Sequence, residues 1–448
     1  MSHIAVIDVG KTNAKLALVD STTMSEVAVV TRPNKVLPGP PYPHFDLEGH
    51  WAFFRAALRE LHQTHGIDAI SVTTHGASGV LLDETGGLAC PMLDYEHTGP
   101  DDLSIDYNAL RPDFAATGSP RLPMGLNLGA QLHWLLETQD GLRDRLAHFV
   151  TYPQYWGYLL TGTLATDVTS LGCHTDLWNP FEQTFSPLVG ALGLSTVMAP
   201  AMRSDAVLGH VTSALAAEIG FTRPIPVTCG IHDSNASLYP YLGQEAPFAV
   251  VSTGTWVVAM AIGTEPRDLD PARDVLVNTN ALGQPVPSAR FMGGREYELI
   301  RPVHAAPTDA DRATVLDGIL LLPSVEPSSG PFQNRQIAWI GPEPTGGPRL
   351  VALSWYLALM TRECLDLAGA QGPVIVEGPF ARNADYLDML AALSPHGVQV
   401  ATSLTGTSVG AAMLAGKSHP PKLSSHSQPL QGDALRSYAD EWRKAVRQ

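Results

Sequence analysis

Short apolar runs dominate the first eighty positions, and their spacing changes once from that of strands to that of a helix. Residues 4–9 form an apolar stretch broken by Asp8 and ended by Gly10. Residues 14–20 (AKLALVD) alternate, and the string Gly10-Lys11-Thr12-Asn13 lies between, so the chain opens with a predicted β-hairpin. Residues 27–31 predict a third strand, stopped by Pro33, and five prolines within 33–43 predict a loop. Asp46 is placed to cap a helix whose apolar residues Trp51, Phe54, Leu58 and Leu61 recur at helical spacing. Residues 69–74 return to a strand that ends at His75-Gly76.

Further along, residues 100–225 mix helices and loops, with helices expected at 130–137 and 142–149. A strand at 226–229 runs into Gly230-Ile231-His232-Asp233. A second strand pair, 248–252 and 256–262, flanks the turn Thr253-Gly254-Thr255. Then come a helix (351–367), a buried strand (374–377), a helix (384–393), a strand (398–402) and a small-residue helix (408–415). Residues 418–429, rich in Ser, Pro, His and Lys, predict a mobile tail. A strand–glycine turn–strand unit thus appears twice, in IDVGKTNAKLAL and VSTGTWVVAM. This predicts two halves, each offering one hairpin turn to a shared cleft.

Composition narrows the function classes. A chain of 448 residues exceeds one ordinary core, so two large lobes are expected. A formal net charge of -16 opposes binding to polyphosphate backbones, which argues against nucleic acid as a partner. The start MSHIAVIDVG lacks the pattern of a secretory signal, and no apolar run approaches the ~20 residues that span a membrane. Cys90, Cys173, Cys229 and Cys364 form no CxxC pair, so free thiols in a reducing cytoplasm are expected.

Four strings carry candidate chemistry. In the first turn, backbone N–H groups can cradle phosphate, Lys11, Thr12, Asn13 and Lys15 add donors, and Asp8 can hold Mg²⁺ directly or through water. Alone, this string reads better as an ordinary hairpin with a charged turn. It is no P-loop: Ala5 stands where the first glycine is needed, and a strand follows instead of a helix. In VTCGIHDSN, Asp233 lies at a strand end, where it can accept a proton from a substrate hydroxyl or simply cap a helix, two compatible roles. In STGT, Thr253, Gly254 and Thr255 suit β- and γ-phosphates or a plain hairpin turn. In VIVEGPFARN, a strand emerges into Glu377-Gly378-Pro379 with Asn383 beyond, a place that can hold an adenine ring.

In this order and spacing, the strings resemble the FGGY carbohydrate kinases of the actin-like ATPase superfamily, over nearly the whole chain. DVGKTNAK is similar to the family's first phosphate motif, GIHDSNAS to its GxxD segment, STGTW to its second phosphate motif, and TSVGAAMLAG to its closing helix. Two departures stand out: Glu377-Gly378-Pro379 replaces a glycine run, and Glu326-Pro327-Ser328-Ser329-Gly330 replaces a Gly-Glu-Arg string. The resemblance implies an α/β fold of two actin-like (ribonuclease H-like) domains with a cleft between them, residues 1–243 for sugar and 244–448 for nucleotide. It implies ATP and Mg²⁺ as cofactors and Asp233 as catalytic base and, with Asp8, metal-holding residue. Phosphates would be held by Gly10, Lys11, Thr12, Asn13, Lys15, Thr253, Gly254 and Thr255, and adenine by Glu377, Gly378 and Asn383. The sugar would meet His75, Gly76, Tyr95, Glu96, His232 and Asp233, although His75 reads equally as a core histidine. THGASGVLLDETG and the first turn look nearest the L-fuculose and L-rhamnulose kinase branch, with phosphorylation at O1, and a pentulose such as xylulose or ribulose is the alternative. A sugar- or nucleotide-binding sensor and a nucleotide hydrolase are the readings from other classes. Family members that pair suggest a homodimer.

Overall fold

The computed structural model of the chain describes residues 2–265, 267–303, 306–401, 406–416 and 421–448. Contacts group the chain into two compact units. The first holds Met1–Gly243, Val277–Pro285 and Thr405–Pro420, and the second holds Gln244–Leu276, Val286–Leu404 and Pro421–Gln448.

In the first unit, β1 (His3–Val9) and β2 (Asn13–Asp20) pair antiparallel, with Asp8 opposite Lys15. β3 (Ser25–Pro33) continues the antiparallel run. Helix α1 (Leu47–His65) begins where the Asp46 carboxylate accepts the Gly49 N–H at 2.9 Å, and it buries Phe54, Leu58 and Leu61. Such a crossover is what lets the chain return parallel: β4 (Ala69–Thr74) lies parallel to β1 with Val9 opposite Thr74. β5 (Val207–His210), β6 (Pro226–Thr228) and β7 (Ile231–His232) complete a seven-stranded sheet of order β5-β6-β4-β1-β2-β3, with β7 also on β4. β7 runs parallel to β4, His232 opposite Thr74. The C-terminal ends of β1, β4 and β7 therefore stand side by side. The residues that follow them, Gly10, His75 and Asp233, share the edge where open α/β sheets bind ligands. Fully buried Phe54, Val72, Tyr152 and Trp156 lie in the core below.

The second unit repeats the plan. β8 (Phe248–Thr253) and β9 (Val257–Ile262) form a hairpin with Thr253 opposite Val257. β10 (Val275–Thr279) and β11 (Pro285–Phe291) lie beyond β9, and α2 (Gly293–Ile300) follows. The long helix α3 (Gly346–Ala368) buries Trp355, Tyr356 and Met360 among other residues. β12 (Val374–Glu377) then lies parallel to β8, with Ser252 opposite Glu377. Helix α4 (Ala384–Ala392) and β13 (Val398–Ala401) follow, β13 parallel to β12.

Three expectations change. The helix expected at 142–149 is one turn, Leu142–Arg145, because His148–Thr151 pairs with Gly79–Leu82 as a strand. Within the expected tail, 418–420 lie outside the described residues, as does Thr402 of the expected 398–402 strand, but β14 (Leu423–His426) pairs antiparallel with β13. His426 Nε2 meets Asp388 Oδ1 at 2.8 Å there. Helix α5 (Gly432–Arg447), which the sequence reading passed over, buries Leu435, Tyr438 and Trp442. The four cysteines are free and buried. Among the described residues, no helix is long and apolar enough to cross a membrane.

Candidate active site

The first turn is pinned before any ligand arrives. Asn34 donates its side-chain amide to the Gly10 carbonyl at 2.8 Å, and its backbone N–H to the Thr12 carbonyl at 2.9 Å. His50 in turn holds Asn34 at 2.7 Å and lies 2.7 Å from Arg32. Burial, with the Arg32 charge, lowers the His50 pKa to about 4, so this support stays neutral in ordinary buffers. Thr12 and Asn13 are exposed at the tip of the turn.

The two lysines of the hairpin diverge. Lys15 stands across the ladder from Asp8, 3.3 Å from its Oδ2 and 3.4 Å from Glu26. The same Asp8 oxygen accepts the hydroxyls of Thr407 (2.7 Å) and Ser408 (2.9 Å), from the helix Thr407–Ala415. Lys11, expected among phosphate donors, instead pairs with Asp94 and lies 3.1 Å from Glu96. Its ammonium stands 4.4 Å from the Tyr95 ring centroid and 5.2 Å from that of Phe45, a cation–π arrangement.

His75 packs against the same rings, with centroids 5.3 Å from Tyr95 and 5.2 Å from Phe45 and Tyr152. Its Nδ1 lies 3.0 Å from the Gly76 carbonyl, so that nitrogen donates and Nε2 carries the lone pair. Nε2 is buried and has no hydrogen-bond partner among the described residues. Burial, aided by the Lys11 and His232 charges, holds His75 below the ordinary imidazole pKa, so it stays a neutral acceptor. An orphaned buried acceptor costs stability, and a ligand hydroxyl would satisfy it.

Asp233 opens the short helix Asp233–Leu238, with Oδ1 accepting the Ser234 N–H at 2.6 Å. His232 Nε2 lies 3.1 Å from that oxygen and 3.8 Å from Cys173 Sγ. Burial would raise the Cys173 thiol, but His174 and His232 pull it well below its ordinary range. Burial likewise works against charge on His232, yet Cys173 and Asp233 lift its pKa to about 9. The imidazole is therefore charged at neutral pH, beside the Asp233 carboxylate. It also fills the space over Gly76: a Cβ there would sit 2.6 Å from His232 Nε2.

In the second unit, the Thr253 hydroxyl is committed to structure. It donates to the Glu377 carbonyl at 2.5 Å and accepts the Phe380 N–H at 3.1 Å. Gly378 adopts φ 85°, and a Cβ there would lie 2.0 Å from the Thr253 carbonyl oxygen, so only glycine fits. Gly254 and Thr255 border a cavity of about 850 Å³, lined also by Gly294, Tyr297, Phe380 and Asn383, with Arg295, Arg312 and Arg382 at its wall. Gly294 opens α2 against the turn: its N–H donates to the Thr255 carbonyl at 3.1 Å, and a Cβ would meet the Gly254 oxygen at 2.0 Å. Asn383 caps α4 through the Tyr386 N–H at 3.1 Å.

The first unit thus gathers Lys11, His75, Gly76, Tyr95, Glu96, His232 and Asp233 into one cluster, with Asp8 and Lys15 at the adjacent strand end. The second brings Gly254, Thr255 and Asn383 to its cavity, while Thr253, Glu377 and Gly378 build the wall behind. Asp94, Cys173, Thr407, Ser408 and Gly294 were missed by sequence reasoning. Only the paired glycines Gly293-Gly294 ahead of a helix carried a visible signal, since close backbone approach needs them. Among the described residues, no group of three or more His, Cys, Asp or Glu could hold a metal ion. A divalent cation would therefore depend on Asp8 or Asp233 together with water and phosphate oxygens, a donor set that suits Mg²⁺.

Two α/β units, each a hairpin with a parallel strand and a covering helix, make the two-domain actin-like fold of sugar kinases. The models of the FGGY family of carbohydrate kinases match residues 3–239 (N-terminal domain) and 245–423 (C-terminal domain). The chain belongs to this family, whose members are phosphotransferases with an alcohol acceptor and use ATP, generally with Mg²⁺. A carbohydrate kinase from Novosphingobium aromaticivorans is 35% identical in its crystal structure, with a TM-score of 0.92 over 99% of this chain and 100% of that one. An L-fuculokinase from Salmonella typhi is 24% identical over 266 residues, 57% of this chain and 56% of that protein. A rhamnulokinase from Enterobacter sp. (strain 638) is 29% identical over 201 residues, 42% of this chain and 38% of that protein. The chain thus spans about half the length, or less, of the curated relatives it matches.

Proposed function

We propose that this chain is a cytoplasmic ATP-dependent ketose kinase that transfers the γ-phosphate of ATP to the O1 hydroxyl of L-fuculose or L-rhamnulose. Residues 1–243 take the acceptor and 244–448 the nucleotide. The observation that carries this reading is the pocket at the ends of β1, β4 and β7. There a carboxylate, Asp233, shares one wall with an unpartnered His75 Nε2 and the Lys11–Glu96 pair. Sugar hydroxyls would satisfy all of them. The names of the matched relatives support the choice of ketose.

Asp233 takes the proton of the acceptor hydroxyl as its oxygen attacks the γ-phosphorus and the bond to the ADP oxygen breaks. The charged His232, 3.1 Å from Oδ1, orients the Asp233 carboxylate. His75 Nε2 accepts a second hydroxyl and fixes the sugar's rotation, so that the reacting oxygen is presented in line. Gly10, Thr12 and Asn13 in the first turn, and Gly254 and Thr255 in the second, hold phosphates. Asn383 and Phe380 border the adenine. Asp8, backed by Thr407, Ser408 and Lys15, would hold Mg²⁺ through water, and the ion would supply charge screening for the phosphates when bound.

Coupled ADP release with Mg-ATP and a panel of ketoses, pentuloses and polyols tests this reading beside Asp233→Ala. Turnover that needs a six-carbon deoxyketose and vanishes in the variant is the expected result. Turnover that needs no sugar would reassign the chain to nucleotide hydrolysis.

A further inference from the structure

The first turn holds two lysines, and only one stands with Asp8. Lys11 leaves the strand end and reaches across the pocket to Asp94 and Glu96, residues more than eighty positions away in the chain. Its side chain is 23% exposed and that of Glu96 is 56% exposed, so a ligand entering the pocket meets both. An ammonium has three donors, and two carboxylates take only part of that capacity. Tyr95 and Phe45 wall the ammonium in on their ring faces, which restricts where the remaining donor can aim.

The charge balance of the pocket is one-sided. Asp94, Glu96 and Asp233 contribute three carboxylates, against the Lys11 ammonium and the His232 imidazolium, which is already engaged with Cys173 and Asp233. His75 stays neutral. A carboxylate on the incoming sugar would face Glu96 and Asp94 with the single lysine charge already spent. A neutral hydroxyl meets complementary groups, accepting from Lys11 and donating to Glu96. Sites built to pair a hydroxyl discriminate strongly against ligands that leave their polar groups unmatched.

We infer that Lys11, acting with Glu96, is a specificity-determining residue for the acceptor: the pair selects an uncharged polyhydroxylated ketose over a sugar acid, and Lys11 takes no part in gripping ATP. This rests on the acceptor-pocket reading of the preceding subsection.

Steady-state kinetics on the full chain, with ketose and Mg-ATP varied separately, test it using Lys11→Met and Glu96→Gln. Lys11→Met is expected to raise the ketose KM by about tenfold or more, the loss of one hydrogen bond to a charged group, while the ATP KM moves by less than about twofold. Glu96→Gln, at an exposed side chain whose loss spares the fold, is expected to tighten competitive inhibition by the matching aldonate, which lacks the O1 hydroxyl, by about tenfold relative to the ketose KM. A higher ATP KM with an unchanged ketose KM in Lys11→Met overturns the inference, because the lysine would then be gripping phosphate. A wild-type chain that the aldonate inhibits at concentrations near the ketose KM overturns it as well. A wild-type chain with no turnover on either sugar sinks the kinase reading itself, and this one with it. If Lys11→Met does not fold, the Glu96→Gln selectivity ratio decides alone.

Discussion

The two hairpin turns share one frame and differ in how they use it. In each unit a hairpin meets a parallel strand: β1 and β2 with β4, β8 and β9 with β12. Counting from the turn glycine, Asp8 corresponds to Ser252, Val9 to Thr253 and Lys11 to Thr255. In the first unit two of these positions, Asp8 and Lys11, carry charge, and each joins a side-chain network. In the second unit the hydroxyl of Thr253 is turned inward to brace the wall, and bare glycines at 294 and 378 let backbone pack on backbone. The same backbone geometry thus carries charged side-chain pairs at one turn and close backbone packing at the other. The hairpin supplies position, and the residues at the strand ends supply chemistry.

Variants can break this contrast, and the largest effect is expected at Asp233. Asp233→Asn should lower kcat by roughly 10²–10⁴, the range for general-base loss, with the ketose KM little changed. An equal rise in KM would make Asp233 a binding group instead. Next is Gly294→Ala, whose new methyl would strike the Gly254 carbonyl 2.0 Å away. It should raise the ATP KM by about tenfold or more while sparing the ketose KM, because 1 Å misplacements are costly.

A stability effect of about 3 kcal/mol is expected at Glu296, on the buried face of α2 in the second unit. Burial lifts its pKa from 4.5 to about 7, against the Glu326 backbone N–H, which donates to Glu296 Oε1 at 3.1 Å and favours the charged form. The folded carboxyl holds its proton more tightly than the unfolded one. Its contribution is therefore fully present below pH 4.5 and is lost as pH rises through about 7. Glu296→Gln should accordingly melt several degrees higher than the wild type at pH 8 and match it near pH 5. The smallest effect belongs to Thr253→Val. It strips two hydrogen bonds from the wall and should cost the second unit about 2 kcal/mol in chemical denaturation.

The frame was legible because strand alternation and turn glycines are local. IDVGKTNAKLAL and VSTGTWVVAM announce their hairpins without any tertiary information, and the Asp46 cap and the Asp233 strand end are equally local. What escaped depended on long-range pairing. Residues 142–149 carry helical periodicity, yet Leu82 and its neighbours draw 148–151 into a strand. Lys11 reads as a phosphate donor until Asp94 and Glu96 are brought to it from another part of the chain. Nothing near Cys173 in sequence says that it will abut His232, 59 positions on. Glu377-Gly378-Pro379 stands where the family has a glycine run. Gly378 is instead required by its positive φ and by the Thr253 carbonyl, and Pro379 and Phe380 border the cavity.

The division of labour between the two turns can be measured directly. Initial rates over a grid of ketose and Mg-ATP concentrations, for the wild type, Lys11→Met and Gly294→Ala, separate the two KM values in one experiment. The account predicts that Lys11→Met moves only the ketose KM and Gly294→Ala only the ATP KM. If both variants move the ATP KM, Lys11 serves the nucleotide with the rest of its turn, and the acceptor is read elsewhere.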